Sequence, residues 1–240
     1  MTESRAYRAR GIVLRSRALG EADRIVTLFT SEYGKISAVA KGVRRAKSRM
    51  AGKLEFGDEV QMELHRGKSL DLITDVQTTT SRWTALVAPD RFSQAALILE
   101  LLDALCEEAF ALPDVFALAT SALNAIASST DAQSLLPRFR LRLLDALGVA
   151  PPYTSCIECT ADFTALVWLD GQRGGLICDA CHRHAVELPI MTELDRQNLL
   201  ALALPRGPGA MLIATPAAAH ASEVLISYHL GRRPRSGGTL

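Results

Sequence analysis

The chain has 240 residues, 48% of them hydrophobic and 22% charged, with a formal net charge of +1. That is enough apolar material for a sizeable core, and it excludes global disorder. The balanced charge selects no partner class, but it averages unlike parts: residues 1–53 hold thirteen Lys/Arg against four Asp/Glu, a local net of +9, which points to a localised polyanion-binding surface.

The opening, MTESRAYRARG, is charged and lacks both an apolar segment and a small-residue cleavage site, so a cytosolic chain is expected. Residues 1–80 read as strands. RARGIVLRSR (8–17), RIVTLFTS (24–31) and KISAVAKG (35–42) are runs rich in β-branched residues, and Gly34 marks a tight connection between the second and third. EVQMELHRG (59–67) alternates, with Val60, Met62 and Leu64 on one face and Gln61, Glu63 and His65 on the other, and SLDLITDVQTT (69–79) follows a short turn. Five short strands in so few residues predict a small closed barrel, because closure removes exposed edges. An OB-fold is the expected form, with an SH3-like barrel as the alternative.

From Pro89 the apolar period changes from two to 3.6, which places a boundary near Thr80–Pro89. RFSQAALILELLDALCEEAFAL reads as a helix. Glu100, Asp103, Glu107 and Glu108 interrupt it, so it is not expected to span a bilayer. Pro113 breaks the pattern and VFALATSALNAIASS resumes it; SLLPRFRLRLLDALG (134–148) is a third helix closed by Gly148. After a cysteine-bearing insert at 150–187, Thr192 and Asp195 stand in capping-box spacing, and a last helix opens at Thr215–Pro216 and runs to Leu230. The end, GRRPRSGGTL, is expected to be a loose tail. The fold class is therefore α+β: a basic barrel domain at 1–80, then a helical domain at 81–240 carrying the insert.

Cys156 and Cys159 form one CxxC, and Cys178 and Cys181 another, with eighteen residues between the pairs. Two residues between cysteines let both thiolates of one turn face one ion, and two such turns fill a tetrahedral Zn²⁺ site. With four sulfurs no position is left for water, so one structural Zn²⁺ per chain is expected. Three other readings compete. A redox CxxC would need only one pair. CDACH (178–182) matches covalent haem attachment, which requires export. His182 or His184 would have to replace a cysteine as ligand. Cys106 sits in an apolar helical period and reads as a small core residue.

KGVRRAKSRMAGK (41–53) carries Lys41, Arg44, Arg45, Lys47, Arg49 and Lys53 without an acidic residue, and it joins the third strand to the fourth. Such like charge repels itself until a polyanion supplies the counter-charge, so the segment is expected to be mobile without a partner. A solvated loop is the alternative. With Lys35, these residues are the DNA-binding candidates, and Arg8, Arg10, Arg15, Arg17 and Arg24 extend the patch. Tyr7, Phe29, Tyr33 and Phe56 are the only aromatic residues in the barrel region, so backbone-dominated binding with little sequence preference is expected. GxxxxGK[ST], HExxH and GxSxG are missing, and the acidic residues form no paired-carboxylate motif; a non-enzymatic protein is expected. Two other classes remain open, an RNA-binding OB module and a zinc-dependent nucleic-acid enzyme.

RGIVLRSRALGEADRIVTLFTSEYGKISAVAKGVRRAKSR (10–49) resembles the N-terminal signature of the bacterial RecO recombination mediators. The GIVL strand, the GEADRIV step, the LFT-x-x-YGK turn and the AKGVRR run carry the likeness. LEFGDEVQMEL and LISYHLGRRPRS fit the same family, and the four cysteines fit its zinc-binding version. The resemblance implies an OB-fold, a helical domain and a zinc-finger element. It also implies binding of single- and double-stranded DNA, strand annealing in double-strand break and gap repair, partnership with RecR and single-strand binding protein, and help in loading RecA. Family members engage the acidic, hydrophobic tail of single-strand binding protein. Arg138, Arg140 and Arg142, beside Leu141 and Leu143, would supply the cations and the apolar surface such a tail needs, with Arg138 and Arg142 as the residues to test, although an ordinary amphipathic helix carries the same pattern.

Overall fold

The computed structural model describes residues 5–128, 134–164, 166–182, 187–205 and 213–231, which fall into two compact units, 5–128 and 134–231. The first unit opens with β1 (Ala6–Leu19), β2 (Asp23–Thr30), β3 (Gly34–Ala40), β4 (Glu59–His65) and β5 (Asp71–Thr80). They close into a barrel in the order β1-β2-β3-β5-β4, which is the OB-fold arrangement. Neighbours run antiparallel except β3 and β5, which meet in parallel over Ala38↔Asp71, Val39↔Leu72 and Ala40↔Ile73.

β1 makes closure possible. Its first half pairs with β4 through Ile12 and its second half with β2, and the register shifts between Val13 and Arg15. An irregularity there bends the strand and lets one element serve both walls. Alternation then directs Val60, Met62 and Leu64 inward from β4. The turn between β2 and β3 depends on Gly34: its φ is +66°, and a Cβ there would stand 2.0 Å from the Phe110 carbonyl oxygen.

Residues 41–57 form successive turns whose apolar residues Val43, Met50 and Leu54 pack on the barrel core. Gly42 N–H donates to Asp23, and Arg44 N–H to the Ala22 carbonyl. Apolar residues at intervals of four to seven inside a charged run anchor the loop while its cations face solvent.

Three helices complete this unit: α1 (Trp83–Leu86), α2 (Pro89–Leu105) and α3 (Pro113–Ser128). α2 ends one residue before Cys106, earlier than the apolar period suggested, and Ala109 adopts a φ of 56°. A buried ion pair joins barrel to helices. Glu59 of β4 accepts from Arg82 at 3.1 Å and from Arg10 at 2.5 Å, and Arg82 also donates to Asn124 of α3 and to the Gly57 carbonyl. Burial works against ionised Glu59, but the hydrogen bonds from Arg10 and Arg82 outweigh it and hold its pKa below the usual carboxylate range.

The second unit contains α4 (Leu135–Ala146), a small sheet of β6 (Val167–Asp170), β7 (Gly175–Cys178) and β8 (Ile190–Met191), then α5 (Glu193–Ala203) and α6 (Pro216–Leu230). The sheet order is β7-β6-β8. Each helix ends as its sequence requires. Gly148 follows α4 with φ +72°; Thr192 and Asp195 form the reciprocal capping box of α5; Thr215 caps α6, with Pro216 in its first turn. The segment expected to be a loose tail lies, beyond Gly231, outside the described residues.

Candidate metal centre and basic surface

The cysteines sit on two turns flanking the small sheet. Cys156 N–H donates to the Ala161 carbonyl and Thr160 N–H to the Cys156 carbonyl, closing the first turn, with Thr160 at a φ of 61°. β7 delivers Cys178, and the N–H groups of Cys181 and His182 donate back to the Cys178 carbonyl. The register Val167↔Cys178 between β6 and β7 fixes the second turn to the sheet.

All four Sγ atoms lie within 4.8 Å of one another. Cys159 and Cys178 are 3.6 Å apart, sulfur to sulfur. A tetrahedron with metal–sulfur bonds of about 2.3 Å has edges of roughly 3.8 Å, so the spacing fits one ion. Glu158 N–H points at Cys156 Sγ from 3.4 Å. Burial raises the Cys156 thiol, but backbone N–H groups of Cys159, Cys178 and Glu158 outweigh it and bring it down to about 6. Its neighbours go the other way. A hydrogen bond with Cys159 is the main reason Cys181 holds its proton, and burial is the main reason Cys178 does. A cation bound among the four sulfurs would favour loss of the remaining thiol protons. His182 is not among the four clustered residues and instead stacks on Trp168, with centroids 4.5 Å apart and planes 9° from parallel. His184 lies outside the described residues.

The DNA-binding candidates divide by environment. Lys41, Arg45, Lys47 and Arg49 are exposed on the loop and form no ion pair among the described residues; Arg44 is exposed and donates to the Gly20 carbonyl at 3.1 Å. Lys53 is half-buried and donates to the Val76 carbonyl at 3.2 Å. Lys35 stands apart, donating to the Asp103 carbonyl of α2 at 2.5 Å, with the Asp103 carboxylate 3.7 Å away. Much of the anticipated extension along the strands is neutralised within the fold, since Arg8 pairs with Glu63, Arg10 with Glu59 and Arg15 with Asp103. Sequence reasoning had no signal for these pairs, whose partners are 49 to 88 residues away.

On α4, Arg138 and Arg142 are half-buried, whereas Arg140 is buried. Desolvation lowers the Arg140 pKa, against the pull of Glu223 on α6. The three arginines therefore do not form one face.

Two family models match. The one for the Recombination protein O N terminal covers residues 1–82, and the one for the Recombination protein O C terminal covers 87–237. The chain belongs to the RecO family. This RecO-family chain accordingly has a role in DNA recombination and repair, and its OB-type barrel and four-cysteine cluster agree with that membership. Among the described residues, no helix is long and apolar enough to cross a membrane.

Proposed function

We propose that this chain is a non-enzymatic, cytoplasmic recombination mediator that binds single- and double-stranded DNA through the basic loop of its barrel. It promotes annealing of complementary strands in double-strand break and gap repair. With RecR it assists RecA loading on DNA coated by single-strand binding protein. The functional division is 1–80 for the barrel and 81–240 for the helical part, with the insert at 150–187. Cys156, Cys159, Cys178 and Cys181 hold one structural Zn²⁺, and Arg138 and Arg142 meet the acidic tail of single-strand binding protein.

The observation carrying this reading is the loop itself. Lys41, Arg44, Arg45, Lys47 and Arg49 are held at the surface by buried Val43 and Leu54, without an acidic partner among the described residues. Uncompensated cations on an anchored frame are suited to phosphates, whose counterions are released on contact. Lys53 and Lys35 are assigned smaller shares, because both already donate to backbone carbonyls and Lys35 stands apart from the loop.

The test is a salt titration on one oligonucleotide with the Arg44→Ala/Arg45→Ala/Lys47→Ala variant. Each phosphate contact contributes about −0.7 to the slope of log affinity against log salt on single strands and about −0.9 on duplex. The variant should flatten the single-strand slope by about two units and weaken all sequences alike. An unchanged slope overturns the loop as the binding site. Stronger binding to RNA than to DNA would favour an RNA-binding module instead.

A further inference from the structure

The barrel is poor in aromatic residues, but the surface beside it is not. The exposed large hydrophobics of the first unit include Trp83 (37% exposed), Val87 (54%) and Phe92 (41%), all from one ten-residue stretch of α1 and the start of α2. Trp83 and Val87 are one helical turn apart, joined by the Val87 N–H to Trp83 carbonyl bond at 3.1 Å. Phe92 lies against Phe56 of the barrel, with ring centroids 5.2 Å apart and planes 30° from parallel.

The stretch is fixed to the chain that follows the basic loop. Asp58 accepts from the backbone N–H groups of Arg82 at 2.6 Å and Trp83 at 3.0 Å. Leu86, fully buried, packs on Gly57 so closely that a Cβ there would lie 2.8 Å from its Cδ1. Phe56 to Asp58 thus hold Trp83, Leu86 and Phe92 in place, and Phe56 follows Lys53, the last cation of the loop, by three residues. Of the acidic groups nearby, Asp58 is buried and engaged, while Glu55 lies between Lys53 and Phe56 and Asp90 sits exposed in the first turn of α2; the six loop cations outnumber these last two.

We infer that Trp83 and Phe92, backed by Phe56, form a stacking platform for the bases of single-stranded DNA whose phosphates run along the basic loop. This rests on the DNA-binding reading above and deepens it. Charge complementarity selects the occupant: the six cations at 41–53, with no acidic residue among them, lead along the chain to Phe56 of the platform, and a strand that presents bases and phosphates together matches both. Rigid aromatic surface is also the sequence-tolerant way to hold unpaired bases. Duplex DNA keeps its bases stacked internally and offers nothing to the platform.

The experiment uses the full chain, with a thymidine oligonucleotide and a duplex of equal length as probes. Trp83→Ala and Phe92→Leu should each weaken single-strand binding by about tenfold, leave duplex binding within twofold, and leave the salt slope unchanged, because no cation is removed. Phe92→Leu keeps apolar volume, so a fold that merely needs packing, or a protein docked on the patch, tolerates it. A second readout is direct. The chain has two tryptophans, and Trp168 is buried against His182. Single-stranded but not duplex DNA should therefore quench the fluorescence of Trp83, and Trp83→Phe should abolish the quenching while retaining most of the affinity. Binding with a full salt slope that is indifferent to both substitutions overturns the platform alone and assigns the patch to a protein partner. Equal losses on both probes, or a lowered melting temperature in both variants, also overturn it. A parent chain that binds neither probe overturns the loop reading with it.

Discussion

The barrel buries thirteen residues in one continuous apolar cluster, while the buried cluster at the cysteine insert consists of Cys156, Trp168 and Ile177 with five half-buried neighbours. Apolar burial stabilises in proportion to area, at about 25 cal/mol per Å². The barrel therefore supports itself, and a segment of four-residue strands does not. Four thiols within 4.8 Å stand where a bound cation would replace the missing core with a cross-link. Charge is handled differently too. The barrel pairs its buried ions at the helix junction and displays its loop cations, whereas the insert gathers four ionisable sulfurs in one place, with Cys156 buried and Cys159 exposed.

The largest effect should come from the insert. Structural zinc is worth on the order of 10 kcal/mol to small zinc-finger peptides at neutral pH. Cys178→Ser should therefore lower zinc from one ion per chain to near none, and open residues 150–187 to protease while the barrel stays resistant. Metal should also be released as pH falls, since each ligand must lose a proton. Near-zero zinc in wild-type protein prepared under reducing, metal-replete conditions would break the comparison at its root.

Next comes the ion pair of the barrel unit. Glu59→Gln leaves Arg82, 2% exposed, without its counter-charge, and should cost about 3–5 kcal/mol of stability by denaturant titration. The folded-state pKa of Glu59 is lowered, so its contribution is complete above the unfolded value of about 4.3 and is lost as pH falls through the lower folded value. The wild type should thus lose stability in acid more steeply than the Gln variant. Parallel acid curves would mean that the pair contributes nothing.

Smaller still is the expected effect on α4. Arg138→Ala/Arg142→Ala should weaken binding of an acidic, hydrophobic peptide by about tenfold without altering zinc content. Unchanged peptide affinity would remove these residues from partner binding. The smallest effect is on stability in the loop triple variant: exposed charges contribute little to folding, so its unfolding free energy should stay within about 0.5 kcal/mol of wild type. A larger drop would show that the loop cations brace the barrel.

The parts legible in the sequence are those set by local rules. β4 follows its alternation; α5 and α6 start where Thr192 with Asp195 and Thr215 with Pro216 dictate; the CxxC turns bring their sulfurs together. What stayed hidden depends on distant partners. Nothing near Arg82 reveals that Glu59, Asn124 and Gly57 will satisfy its guanidinium in the interior. Lys35 looks like any strand lysine until α2 brings Asp103 to it. Arg140 shares the pattern of Arg138 and Arg142, and only the packing of α4 on α6 turns it inward. The aromatic surface was hidden for the same reason, since Phe56 meets Phe92 across 36 residues.

The parallel seam between β3 and β5 has a kinetic consequence. It holds three residue pairs, against seven or eight along the neighbouring ladders β1–β2, β2–β3, β1–β4 and β4–β5, and it joins residues about 33 positions apart, Ala38 to Asp71. The antiparallel hairpins β1–β2–β3 and β4–β5 are local and form early, while the seam and the β1–β4 ladder, which joins residues 47 to 59 positions apart, must first pay the entropy of closing a long loop. Closure of the barrel is therefore a late folding event, and in the native state the seam is where the cylinder opens first. The basic loop leaves β3 immediately after Ala40, so a polyanion bound there should slow hydrogen exchange at 38–40 and 71–73 before it affects any other part of the barrel.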